Sequence, residues 1–259
     1  MQAIIQVMES TLGARDPYTV DHQKRATHIA IAIAERMGLP PESIEAIHVA
    51  GSLHDLGKIA VPNEILSKPG KLTDLEFAII KTHPQVAYNI LKPLDIPVHI
   101  TQIIMQHHER MNGSGYPHGL ESQDILLEAK ILGVADVVEA MCSHRPYRPA
   151  LGIEKALEEI TRKKGILYDT GVVDNCLLLY QETPAAMMGE VCYVVHKRTT
   201  PIDALPQKTV PQQEDFQDEA NQGRWGFRGI VTNQPRFFLH VAAAVALGWF
   251  ILMMSRNHL

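Results

Sequence analysis

The chain has 259 residues, 46% of them hydrophobic, and a formal net charge of −5. That length allows one sizeable core with chain left over, and the charge excludes the global basic field of a nucleic-acid binder. Cys142, Cys176 and Cys192 are scattered, odd in number and form no C-x-x-C pair, which fits a reducing compartment better than a disulfide scaffold.

In chain order, MQAIIQVMESTLGARD lacks a charged region followed by an apolar run, so it does not read as a signal peptide. From Met1 to about Glu182 apolar residues recur at three and four, with no sustained alternation. The interruptions are helix punctuation: Gly38 to Pro41, Pro62, Lys68-Pro69-Gly70, Pro93, Pro97, Gly113 to Gly119, Pro146 and Pro149. The pattern predicts one all-α domain over 1–183, with seven or eight helices and no repeat at a solenoid period. After Pro184 the composition shifts, and 184–235 reads as irregular. Within it GEVCYVVHKR can form a short strand, and Thr199 to Gln222, rich in Pro, Gln, Asp and Glu, reads as a linker. Phe237 to Met254 is uncharged, bounded by Arg236 and Arg256, and reaches the lower length limit for crossing a bilayer. Residues 236–255 are therefore a candidate transmembrane helix, with a buried or partner-packing helix as the alternative. Arg224, Arg228 and Arg236 precede it, so a span would leave the large domain in the cytoplasm, anchored to the inner membrane.

Polar residues stand where this helical pattern calls for apolar ones. In THIAIAIAERMGL the stripe through Ala26, Ile29 and Ile33 leads back by four to His22. In IEAIHVAGSLHDLGKI the stripe through Ile47, Ala50 and Leu53 ends at His54, with Asp55 next and Lys58 one turn on. His83 precedes a helix-starting proline in Thr82-His83-Pro84. In IPVHITQIIMQHHE the stripe through Ile100, Ile103 and Ile104 continues into His107 and His108. In EAKILGVADVVEAM a helix apolar nearly all round carries Asp136, which has almost no route to water. Any one of these is more often a hydrogen-bonded core residue than a ligand. Together, five histidines and two aspartates interrupt the core faces of one small domain. A single metal centre satisfies them jointly where separate networks would each have to be built.

The ordered set HDLGK, THP, HHE, GSGYP, VADVVEA and RPYR, with RDPYTVDH near the start, resembles the HD-GYP family, a branch of the HD phosphohydrolases. The resemblance covers about Met1 to Glu182. It implies an all-helical HD-type domain with a binuclear or trinuclear centre, usually iron or manganese, and hydrolysis of cyclic di-GMP. Carried over by position, it implies His22, His54, Asp55, His83, His107, His108 and Asp136 as metal ligands. Asp55 would bridge two ions and Lys58 would stand by the scissile phosphate. Tyr18 stands where three-metal members have a Glu, so two ions are expected. Met111 and Asn112 replace the usual aromatic and aspartate ahead of the loop, which puts loop contacts, not ligation, in question. The resemblance also implies that the loop of Gly113, Gly115, Tyr116 and Pro117 is a docking point for a diguanylate cyclase (GGDEF) domain.

Two divalent ions can bring the pKa of water near neutrality and offset charge developing on a phosphodiester. Two aspartates against two dications leave the site net positive, which suits such a substrate. Histidine-rich ligation favours iron, manganese or zinc over magnesium or calcium. Arg145 and Arg148 are candidates for phosphate or guanine contacts, with a surface ion pair as the plain alternative. Gly113 and Gly115 are expected to allow tight, left-handed turns, with Tyr116 and Pro117 as a fixed lip at the site mouth. Arg110 is expected to pair with Glu109 or a structural carboxylate. The rival readings are an HD phosphohydrolase for another nucleotide, a catalytically silent nucleotide- or partner-binding module, and a metal-free structural domain.

Overall fold

A computed structural model describes residues 2–144, 150–184 and 187. The order is α1 (Gln2–Arg15), α2 (Pro17–Arg36), α3 (Pro41–Leu53), the 3-10 turn η1 (Leu56–Ala60), α4 (Asn63–Leu66), α5 (Asp74–Ile80), α6 (His83–Leu91), α7 (Val98–Gln106), η2 (Ser122–Asp124), α8 (Leu127–Cys142), α9 (Ile153–Arg162) and α10 (Thr170–Glu182). The class is all-α, as expected. Among the described residues there are ten α-helices rather than seven or eight. The surplus is short: α4 and α5 bury no residue, so neither has an apolar stripe for a sequence pattern to reveal.

Local chemistry sets the helix ends. The Asp16 carboxylate accepts from the amides of Tyr18 and Thr19, and Pro17 starts α2. Gly38, at φ +71°, lets the chain leave that helix. Thr73 and Glu76 form a reciprocal capping box on α5. Asp169 caps α10 by accepting from Val172.

Helix α2 is the spine, packed on one side by α8 and on the other by α3, with α1 and α10 also against it. Ile29, Ile33, Ile47, Leu53, Ile103, Ile104, Ile131 and Leu132 are fully buried between these helices. Each contributes about 1.5–3 kcal/mol of apolar burial. Helix α7 packs on α3, α6 and α8, and η1 lies against α6. The C-terminal end of α3, the start of α6, the end of α7, the second turn of α2 and the middle of α8 are thus held by one core.

Among the described residues, no helix is long and apolar enough to cross a membrane. The candidate span at 237–254, the short strand, the linker at 199–222 and the arginines Arg145 and Arg148 lie outside the described residues.

Candidate metal centre

The fold brings His22, His54, Asp55, His83, His107, His108 and Asp136 together. Their ligand atoms fall into three overlapping groups: His22, His54 and Asp136; His83, His107 and His108; and His54, Asp55 and His107. Within each group the atoms lie within 4.8 Å of one another. His22 comes from α2 and Asp136 from α8. His54 caps α3 and His107 caps α7, and His83 opens α6. All seven are buried except His108, which is partly so.

Three histidines are oriented by backbone. The Nδ1–H groups of His54, His83 and His107 donate to the carbonyls of Gly51, Ile80 and Ile104, at 2.7, 2.8 and 2.6 Å. A carbonyl only accepts, so these bonds assign the proton to Nδ1 and leave Nε2 with a lone pair. The Nε2 of His54 is buried without a hydrogen-bond partner. Those of His83 and His107 face each other at 3.4 Å. Two lone pairs at that distance repel, and an orphaned buried acceptor is costly. The donor set therefore fits a divalent transition-metal ion, which imidazole nitrogens suit.

Asp55 lies between the two halves. Its Oδ1 is 3.5 Å from His83 Nε2, and its Oδ2 is 3.6 Å from His54 Nε2 and 3.9 Å from His22 Nε2. Lys58 reaches the same carboxylate, Nζ to Oδ2 at 2.6 Å. Asp136 touches His22 Nε2 at 2.9 Å through Oδ1 and faces His108 Nδ1 at 3.8 Å through Oδ2.

The protonation states suit ligation. Burial pushes His54, His107 and His108 down, and takes His83 to about 4, so that these rings are neutral near pH 7. Burial also opposes ionisation of Asp55, but Lys58, His54, His83 and His22 outweigh it and hold this carboxyl well below its usual range. The same contest at Asp136 is won by its hydrogen bond from His22, with His108 and His54 adding to it. His22 is the exception: burial lowers it, yet Asp136 and Glu139 together raise it. On its Nε2 a proton and a cation compete for the same lone pair.

Glu139 was not singled out from sequence. It is fully buried and accepts from His22 Nδ1. Arg25 Nε donates to its Oε1 at 2.5 Å and Ser143 Oγ also donates to it. Burial would push Glu139 up, but His22, Ser143 and Arg25 hold it at about 2. This is a carboxylate–histidine pair aimed at the site, with Arg25 neutralising the added charge. Its signal was available: Glu139 lies three residues beyond Asp136 on a helix that is otherwise apolar after Lys130. Changing Glu139→Gln is expected to weaken metal binding roughly 10–100-fold, read by competition with a chelator. Unaltered affinity would mean that His22 is oriented by other contacts.

The loop after His108 is pinned from below. The buried Glu109 carboxylate accepts from the amides of His118 and Leu120, at 2.7 and 3.0 Å. Arg110 does not pair with that carboxylate; it donates to the carbonyls of His107 and Glu109 and lies over the Tyr168 ring at 5.4 Å. The carboxylate was already engaged by the loop, so the arginine was left the backbone. Gly113 is left-handed at φ +75°, as expected. Gly115 has no positive φ; it is required because a Cβ there would lie 2.4 Å from Glu109 Cα and Arg110 N. Tyr116, joined to Pro117 by a cis peptide, lies over His108 with ring centroids 4.6 Å apart. The lip thus folds onto the ligands.

A family model described as HD domain matches residues 6–172. The chain is 42% identical over 165 residues to the cyclic di-GMP phosphodiesterase response regulator RpfG of Xanthomonas campestris pv. campestris, covering 63% of this chain and 44% of that protein. It is 38% identical over 181 residues to the cyclic di-GMP phosphodiesterase of Thermotoga maritima, covering 69% and 49%. Among solved structures, the HD domain of the L. monocytogenes phosphodiesterase PgpH matches with a TM-score of 0.52 at 16% identity, covering 73% of this chain and 99% of that one. That last likeness concerns the fold alone. The chain spans about half the length of these two curated relatives.

Proposed function

Because the chain belongs to the HD domain family, we propose that it is a metal-dependent phosphodiesterase hydrolysing cyclic di-GMP to linear pGpG, to GMP, or to both, in bacterial second-messenger signalling. The observation that carries this reading is the convergence of seven ligand-type side chains with Nε2 lone pairs facing one another and no protein donor between them. The names of the two curated relatives supply the substrate class.

Two ions, iron or manganese, would be held by His22, His54 and Asp136 on one side and His83, His107 and His108 on the other. Such ions supply Lewis acidity and bring the pKa of water towards neutrality. The residues do the rest. Asp55 presents one oxygen to each half, which suits a bridging carboxylate. Lys58, at the edge of the site and only 16% exposed at its side chain, offers a point charge to a non-bridging phosphate oxygen. Tyr116 and the Glu109-pinned loop would partly cover the His108 side. Arg145 and Arg148 would contribute forked donors to phosphate or guanine. A diguanylate cyclase (GGDEF) domain would dock on the loop of Gly113, Gly115, Tyr116 and Pro117, and binding of such a domain unaltered by Tyr116→Ala would count against that. Anchoring of a cytoplasmic domain to the inner membrane by 237–254 belongs to the same reading.

The test is direct. The chain is purified without oxygen, its metal is quantified, and cyclic di-GMP, a mixed cyclic GMP-AMP and nucleoside monophosphates are offered with manganese or ferrous iron. Linear pGpG or GMP from cyclic di-GMP is the expected result. Bound metal with turnover of another nucleotide alone would move the substrate. Neither metal nor turnover would leave a binding module.

A further inference from the structure

Helix α5 poses a question that the metal centre does not answer. None of its seven residues is buried, and Leu75, Phe77 and Ile79 are all exposed large apolar side chains. It is held by its capping box and by Lys68, whose ammonium meets both Glu76 oxygens at 2.7 and 2.8 Å. Phe77, 43% exposed, is thus no core anchor, yet its ring is aimed at the site. It stands edge-on to Tyr116 at 6.4 Å and 83°. Tyr116 in turn lies at 32° over His108. Three rings therefore lead from a candidate metal ligand out to the surface.

Lys81 closes the arrangement. Its ammonium is 4.8 Å from the Phe77 centroid and 5.6 Å from that of Tyr116. Phe77 and Tyr116 make a right-angled aromatic corner, and a flexible cation covers both rings. Such a corner takes a flat π-system: a base stacks on one ring and meets the other with its edge. A lysine over a ring face is a weakly held occupant at an exposed position, and its four-carbon stem can swing the charge to a phosphate.

We infer that Phe77 and Lys81 form a nucleobase subsite at the mouth of the metal centre, with a base stacking on Phe77 and Lys81 moving from the ring to the nucleotide's phosphate. The ligand class is a nucleoside phosphate. The inference rests on the phosphodiesterase reading and deepens it by naming a specificity-determining pair on α5 and its C-cap.

The test measures binding of GMP and of ribose 5-phosphate to the metal-loaded full chain by calorimetry, beside cyclic di-GMP turnover. The expected result is that the intact protein binds GMP more tightly than ribose 5-phosphate. Phe77→Ala should raise the GMP dissociation constant about tenfold, within the range for lost base stacking, and leave ribose 5-phosphate and bound metal unchanged. Phe77→Tyr should restore GMP binding, and Lys81→Met should weaken both ligands alike. Equal losses for both ligands in Phe77→Ala, or no preference for GMP in the intact protein, would overturn the subsite. A base-dependent effect without cyclic di-GMP turnover would uphold the subsite and remove the proposed substrate. Turnover without a base-dependent effect would do the reverse.

Discussion

Replacing Asp55 with alanine is expected to lower cyclic di-GMP turnover by more than about 10²-fold, beyond the loss typical of an outer partner of a metal ligand, and to reduce the bound metal. The geometry gives the reason. Asp55 turns its two oxygens to different halves of the cluster, Oδ1 towards His83 and Oδ2 towards His54 and His22, and it is the carboxylate that Lys58 also reaches. Without it, six ligand-type groups remain and Asp136 is left as the carboxylate reaching both halves, and one negative charge opposing the paired cations is lost. The metal-free fold should tolerate the change better than the loaded one, because the ring orientations of His54, His83 and His107 come from backbone carbonyls rather than from Asp55. Metal analysis, turnover and the rise in melting temperature on adding manganese separate these effects, since an ion that binds only the folded state raises its apparent stability. Metal content and turnover both within twofold of the parent protein would falsify the bridging role.

Gly57→Ala is expected to act on the site through the backbone. A Cβ at Gly57 would lie 1.9 Å from the carbonyl oxygen of His83, 2.7 Å from its carbonyl carbon and 2.8 Å from Ala87 N. All three are backbone atoms, so no rotamer relieves the clash, and η1 and α6 must separate. His83 opens α6 and is carried with it. Overpacking of this kind costs about 1–3 kcal/mol or more, which in a domain of this size lowers the melting temperature by roughly 2–4 °C for each kcal/mol. The effect on turnover should be larger, because a displacement of about 1 Å at a reacting centre can cost ~10²-fold. Gly38→Ala is the control. Gly38 is left-handed, with open space around its Cβ direction, so alanine there is strained at the end of α2 but touches nothing near the site. It should cost stability by roughly 1 kcal/mol and leave metal content and turnover intact. A Gly57→Ala protein with normal metal content and turnover would show that α6 can shift without moving His83.

The parts of this protein legible from sequence are those that local periodicity encodes. Apolar residues at three and four marked the long helices, and the same stripes exposed His22, His54, His107, His108 and Asp136 as polar groups on buried faces. His83 was visible from its place before Pro84, and the ordered motifs pointed to the HD-GYP resemblance. The helix count was less legible: α4 and α5 bury no residue, so they leave no stripe, and of the two only α5 carries a side-chain cap.

What only tertiary structure decided was which groups meet across the chain. Glu139 and His22 are 117 residues apart, and no spacing rule relates them; α2 has to pack on α8 before the carboxylate can accept a hydrogen bond from the imidazole. Nor could local sequence tell that Glu109 would be occupied by the His118 and Leu120 amides, which turned Arg110 to the backbone and to Tyr168. The same holds for Gly57, required by the close approach of α6 backbone, and for Gly115, required by the loop folding back on Glu109 and Arg110, rather than by their own dihedral angles. Sequence by itself determined which faces are buried, because amphipathic periodicity is a property of one helix. The packing of helices determined how His22, Arg25, Asp136 and Glu139 are paired, because those contacts run between α2 and α8.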